Sequence, residues 1–158
     1  MEATNPADAR RQARILAMQA LYETDLARHA PTAVLDRLLD DEAYSAGTSA
    51  FAEQLVAGVV AHLDAIDPLI AEAAPTWPLA QMAKIDKSIL RLAVYEVLFE
   101  PDVPFKAAIN EAVEIAKLFG SDSSSRFVNG VLGTIAARRG EWATDPAAGA
   151  LAKPAPGV

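Results

Sequence analysis

Cysteine is absent from all 158 residues. That excludes disulfides, thiolate zinc sites, iron–sulfur clusters and a cysteine nucleophile. Histidines are only two, His29 and His62. His62 and Asp64 stand two apart and so leave a helix on different sides; both histidines read as surface or helix-end residues. The chain lacks G-x-S-x-G, Walker A and G-x-G-x-x-G patterns, which removes the common hydrolase and nucleotide-binding signatures. Basic residues are outnumbered, 14 against 21 acidic, for a net charge of −7. Overall charge therefore argues against indiscriminate attraction to nucleic acid, although a local basic site stays open. No run reaches ~18 uninterrupted apolar residues, so no membrane-spanning helix is indicated. The opening MEATNPADARRQAR lacks the apolar stretch of a secretion signal. The expected location is the cytoplasm.

What is abundant is alanine, 34 residues of it, the strongest helix former and one that lets helices pack closely. Hydrophobic residues reach 52%, enough for a globular core. Strand-like alternation is hard to find, so the chain reads as all-helical. A first helix is expected from about Pro6 to Arg28, with Ile15, Met18, Tyr22 and Leu26 on one face. A second begins at Pro31 or Thr32. A third starts after Ser49, with Phe51, Leu55, Val59 and Leu63 in register, and Asp67-Pro68 reads as a cap that restarts a short turn. Gly58, inside the third helix, suggests a close helix approach. The fourth spans about Leu79 to Glu100 and is apolar over so much of its surface that it reads as a central helix. The fifth carries Phe105, Ile109, Ala112, Val113, Ala116 and Phe119 and ends at Gly120. Asp122 or Ser121 caps a sixth, where Phe127, Val131 and Ile135 recur, and Arg138-Arg139-Gly140 marks its end. The expectation is a bundle of six to seven helices. Two three-helix subdomains, divided near Pro78, would share a core over residues 1–142. Residues 143–158, rich in proline and alanine, read as a disordered tail.

Chemistry is sparse. Asp40, Asp41 and Glu42 lack the spacing of a calcium loop and read as a solvated turn. Ser121, Ser123, Ser124 and Ser125 sit where a helix starts, as capping residues do. Arg10, Arg11 and Arg14 form a cluster, with Arg10 and Arg14 one turn apart on one face. Cations at a helix N-terminus oppose its dipole, and arginines grip phosphates bidentately. The spacing leaves open both a solvated helix start and a phosphate site. Phe119, Asp122 and Phe127 bracket a helix connection; spacing alone makes them structural, although an exposed aromatic there can stack on an unpaired base.

Four segments together resemble the NusB family of bacterial transcription antitermination factors. They are ARRQARILAMQALYETDL (9–26), FAEQLVAGVV (51–60), IDKSILRLAVYEVLF (85–99) and DVPFKAAINEAVEIAKLFGSDSSSRFVNGVLGTIA (102–136). The pairing of INEAVEIAK with FVNGVL is the most specific part, and the resemblance covers about residues 8–139. It implies an all-helical, non-enzymatic adaptor without cofactor or metal. Such an adaptor binds single-stranded boxA RNA of ribosomal RNA operons together with the ribosomal protein NusE. With NusA, NusG and RNA polymerase it suppresses premature termination. The resemblance assigns RNA binding to Arg10, Arg11, Arg14, Phe119, Asp122 and Phe127. It assigns the partner surface to Tyr22, Asp86, Lys87 and Arg91. Gln12 stands where some relatives carry another arginine, and Gly133 where a polar residue is common. Two other readings stay open: the RNA-binding helical domain of a ribosomal RNA cytosine methyltransferase, and a structural adaptor without RNA binding. A homodimer, which would bury the arginine face, is open as well.

Overall fold

The computed structural model describes residues 5–24 and 30–144, and for 139–144 the backbone alone. His29, Leu26 and the end of the first helix expected near Arg28 lie outside these residues, as do 145–158 of the expected tail. Six α-helices and one 3-10 turn follow in chain order, and the described residues contain no strand. The all-helical expectation holds. Two compact units divide between Ala61 and His62, inside the third helix and not near Pro78 as the loop signals suggest.

In the N-terminal unit, α1 spans Pro6–Glu23. The Asn5 side chain accepts the Ala7 N–H at 2.9 Å, and Pro6 at the first helical position has no N–H to satisfy. At the other end the Thr24 hydroxyl donates to the carbonyls of Ala20 and Leu21, each at 3.1 Å, which occupies acceptors that the helix itself cannot. The buried stripe is Ala13, Leu16, Ala17, Ala20 and Leu21. The expected stripe is displaced from it: Met18 is buried, but Ile15 is half-buried and Tyr22 exposed. Three alanines set the tightest side of the helix because small side chains let a neighbour approach, a signal that a search for large apolar residues passes over. Helix α2, Pro31–Asp41, packs on α1 and buries Pro31 and Leu35.

Helix α3 spans Ala46–Ala73, earlier and longer than expected. Ser45 starts it: its hydroxyl oxygen accepts the Thr48 N–H at 3.1 Å, a cap that lets Gly47 be helical. Nor does the helix stop at Asp67-Pro68. Pro68 removes one backbone bond, at a cost of ~3 kcal/mol. Asp67 does not cap; it pairs with Arg91 of the next helix, whose Nε and Nη2 donate at 2.9 and 2.8 Å. By length and composition α3 would cross a membrane. Leu55, Val56, Val59, Ile66 and Ile70 are wholly buried within the protein, while Val60 and most other residues of the helix are exposed or half-buried, so one face of α3 joins the core.

The C-terminal unit centres on α4, Lys84–Phe99, which follows the 3-10 turn Leu79–Gln81. Helix α4 packs against both α5, Phe105–Phe119, and α6, Ser124–Thr144. Between Ser88 and Leu98 every residue of α4 except Arg91 is buried, as its apolar width predicts. Each large aliphatic side chain fully buried here contributes roughly 1.5–3 kcal/mol. Facing it are Ala108, Ala112, Ile115 and Ala116 of α5, and Val128, Val131, Leu132 and Ile135 of α6. Phe105 and Ile109 are only half-buried; on α5, as on α1, alanines take the closest contact. Helix α6 runs past Arg138-Arg139-Gly140 and the boundary at 142, and Arg138 pairs with Glu72.

His62 is not a plain surface residue. Its ring lies 4.0 Å from that of Phe99, 5° from parallel, and 6.0 Å from Tyr95. The buried Tyr95 hydroxyl donates to Glu100 Oε1 at 2.6 Å. Burial and the Glu100 carboxylate push the phenol well above its ordinary value. The neutral phenol is thus the form that the fold stabilises. Its contribution is complete below the unfolded value of about 10 and is lost at more alkaline pH. Tyr95→Phe is expected to destabilise the protein by about 1.5–3 kcal/mol near neutrality, since a hydrogen bond to a charged group is lost. The deficit should shrink above the unfolded tyrosine value. Urea denaturation across pH 7–11 checks both; a deficit that stays constant across that range would remove Tyr95 as the titrating group.

Candidate nucleic-acid interface

In the N-terminal unit, the start of α1 meets the start of α3. The Thr48 hydroxyl donates to the Ala9 carbonyl at 3.5 Å. Just beyond, the guanidinium carbons of Arg10 and Arg14 each lie 5.5 Å from the centre of the Phe51 ring. Their spacing of four places both over one ring, as the shared helix face requires. Burial separates them. Arg10 is exposed, Arg11 half-buried, and Arg14 only 5% exposed. Arg14 stands beside Ala13 and one turn before Ala17 and Met18 on the buried side of α1, so the fold draws it inward. It does not itself face solvent. Tyr22 is 43% exposed near the end of α1. Phe51 is the residue that the sequence reading passed over; an aromatic on the neighbouring helix that faces paired arginines has no sequence signature of its own.

The C-terminal unit supplies a second arrangement, set by a tight connection. Helix α5 ends with the Gly120 N–H donating to the Ala116 carbonyl at 2.8 Å. A Cβ on Gly120 would lie 2.4 Å from Ser124 Cβ and 2.8 Å from the Ala116 oxygen, so no larger residue fits without movement. Buried Ser124 turns its hydroxyl back to accept the Ser121 N–H at 2.9 Å. The Phe127 N–H donates to the Ser123 carbonyl at 3.0 Å, which opens α6. Ser121, one of the two residues expected to cap α6, is thus tied to Ser124 across the connection. Asp122 is exposed.

This turn aims the first residues of α6 at the start of α4. Between them lies a cleft of about 510 Å³, walled by Trp77, Met82, Asp86, Ser123, Arg126 and Phe127 among others. Trp77 is 54% exposed, while Asp86 is 8% exposed. Asp86 Oδ1 is buried and has no hydrogen-bond partner among the described residues. Leaving such an acceptor unmet costs about 1–3 kcal/mol, a cost that an incoming N–H donor would remove. The cleft thus joins Asp86 with Phe127, two residues that the sequence reading had assigned to different surfaces. Phe119 and Asp122 are exposed at the same connection but form none of its walls. Lys87 Nζ donates to the Leu79 carbonyl at 3.4 Å. Arg91, expected on the partner surface, is held by Asp67 with its side chain 15% exposed. Trp77 and Arg126 were not foreseen. A tryptophan between two prolines and an arginine beside Phe127 were the available signals.

The model of the NusB family matches residues 11–137. The chain belongs to the NusB family. The transcription antitermination protein NusB of Chloroflexus aggregans is 51% identical over 134 residues, 84% of this chain and 89% of that protein. Among solved structures, T. maritima NusB has a TM-score of 0.77 at 35% identity, covering 87% of this chain and 93% of its own. The complex of antitermination factors NusB and NusE with double-stranded RNA contains a chain of the same fold, with a TM-score of 0.75 at 24% identity over 82% of this chain and 97% of that one. In this chain the N-terminal unit carries the Phe51 arginine stack and the C-terminal unit the aromatic cleft.

The connection that shapes the cleft is testable through its glycine. Gly120→Ala is expected to destabilise by about 1–3 kcal/mol through overpacking. On exposed Gly133 of α6 an added methyl meets nothing within 4 Å, and Gly133→Ala is expected to stabilise by up to ~1 kcal/mol. Thermal or urea denaturation compares them; effects of the same sign would mean that Ser124 does not set the turn.

Proposed function

We propose that this chain is a non-enzymatic antitermination adaptor. It binds single-stranded boxA-type RNA together with NusE and passes that contact to RNA polymerase in company with NusA and NusG. The observation that carries the reading is the C-terminal cleft. Aromatic Phe127 and Trp77 offer faces on which an unpaired base stacks, Arg126 offers a phosphate donor, and buried Asp86 offers an unmatched acceptor for an N–H donor. That set complements a nucleotide: a flat ring, an exocyclic amino group and a phosphate. In the N-terminal unit, the exposed Arg10 beside Phe51 offers a phosphate donor of its own.

The family relatives support the reading by name, and a solved complex of that fold contains NusB, NusE and RNA. Exposed Tyr22 and the half-buried Lys87 are assigned to the NusE surface, and exposed Phe119 and Asp122 to the edge of the RNA path. Action by binding and not by catalysis fits Ser121 and Ser124, whose hydroxyls are engaged with each other, and His62, which is stacked on Phe99. The net charge of −7 suits a protein that binds a few phosphates at chosen places and repels the rest, with the basic partner completing the field.

Fluorescence anisotropy with labelled boxA-type RNA tests this, with and without NusE and against a scrambled RNA. Preference for boxA, strengthened by NusE, is expected, with log affinity falling by about 0.7 per log unit of salt for each phosphate held. Phe127→Ala is expected to weaken binding by roughly 5- to 150-fold, the worth of one base stack. Asp86→Asn assigns the unmet oxygen: a loss without NusE gives it to a base, a loss only with NusE gives it to the partner. Equal binding of boxA and scrambled RNA with NusE present would defeat the proposal.

A further inference from the structure

A polar groove lies next to the aromatic cleft, and one residue belongs to both. The groove measures about 400 Å³ and runs between α5 and α6. Asn110, Glu114 and Lys117 line it from α5; Ser125, Arg126 and Asn129 line it from α6. Asn110, Glu114 and Lys117 share one face of α5 by spacings of four and three; on α6, Ser125 and Arg126 are neighbours that each meet Asn129, four and three residues on. Arg126 also walls the cleft. It is exposed, and its side chain forms no ion pair or hydrogen bond among the described residues.

We infer that this groove holds the phosphodiester backbone of the RNA strand whose base enters the cleft, with Arg126 as the hinge between base site and backbone track. The inference rests on the reading of the cleft as a base site and extends it by naming where the strand runs. The chemistry is that of a sugar–phosphate chain. Two amides and a hydroxyl offer neutral donors, and the amides also accept from a ribose 2′-hydroxyl. Two cations face one carboxylate, a local excess of positive charge in an acidic protein. Glu114 already accepts from Lys117 Nζ at 3.1 Å, with side chains 46% and 57% exposed. Such an exposed pair is worth about 0–1 kcal/mol, so Lys117 can exchange the carboxylate for a phosphate at small cost. An apolar partner finds little here, since Val113 is the one aliphatic wall. Backbone contacts of this kind fix the register of a strand and leave the choice of base to the cleft.

The test uses the full chain and the same boxA-type RNA without NusE, comparing Lys117→Gln, Asn129→Asp and Phe127→Ala. Both groove substitutions lie on exposed helix surface. Lys117→Gln is expected to weaken binding roughly five- to tenfold and to make the salt slope shallower by about 0.7, the signature of one lost phosphate. Asn129→Asp, which sets a carboxylate in the track, is expected to weaken binding at least as much. Replacing the linkages that flank the bound base with neutral methylphosphonates should abolish the difference between wild type and Lys117→Gln. If Phe127→Ala loses affinity while both groove variants keep wild-type affinity and slope, the groove is not the track and the cleft stands. If none of the three changes binding, the cleft reading and the groove fall together. A loss that shows only on titration with NusE, with RNA affinity intact, would give the groove to a protein and overturn the inference.

Discussion

The close approach of Gly120 to Ser124 determines what the C-terminal unit can present to a ligand. Two helices that pack side by side need a reversal of direction, and here it is made in four residues. The missing side chain of Gly120 leaves room for Ser124, and the Ser124 hydroxyl ties back to the Ser121 N–H. Because the serine is buried in that bond, the first turn of α6 has little freedom. Arg126 and Phe127 are carried on that turn. An aromatic ring gains most from stacking when its own rotamer and backbone are already fixed, since little entropy is lost on binding. A looser loop of the same composition would hold the same side chains and bind with them less well.

The opposite wall of the cleft obeys a different constraint. Helix α4 is buried on nearly every side, so its position is set by packing with α5 and α6. Its first turn therefore cannot retreat from the cleft, and Asp86 is held there with one oxygen unmatched. The helix dipole favours an acid at that position, which offsets part of the cost. What remains is a small instability retained where a ligand would relieve it. The Asp67–Arg91 pair acts on the same helix farther along, joining the second half of α3 to α4. It also explains why the boundary between the two units falls inside α3: past Ala61, the helix is fastened to α4 by its own side chains.

The sequence disclosed the fold through its alanine content, its apolar spacing and its resemblance to a family, and these were enough for helix number and order. Its errors share a physical cause. On α1 and α5 spacing points to the large apolar residues as the buried face, yet Tyr22 and Phe119 are exposed and alanines line the contacts. Burial follows how near a neighbour can come, which residue size alone does not disclose. Asp67-Pro68 looked like a break because local rules price the lost backbone bond but not a bidentate partner on another helix. The site was legible as a list and not as an arrangement. Phe127 and Asp86 were both named, but nothing in their separation of about forty positions along the chain says that they share a cleft. Trp77 and Arg126 were missed for the same reason.

Arg14 shows how far a functional pattern can be read too literally. An arginine triplet at the start of a helix suggests three equal phosphate contacts, but a helix turns 100° per residue, so three arginines within five positions cannot all face one way. Arg10 and Arg14 share a direction, and the ring of Phe51 lies along it. The two differ in depth: Arg14 is buried and Arg10 is exposed. A desolvated cation over a ring is worth up to about 2 kcal/mol, more than the same contact at the surface, so the buried Arg14 contributes most to the fold and Arg10 keeps its charge available to solvent. The pair is then one cation drawn into the fold and one left at the surface, where an anion can reach it.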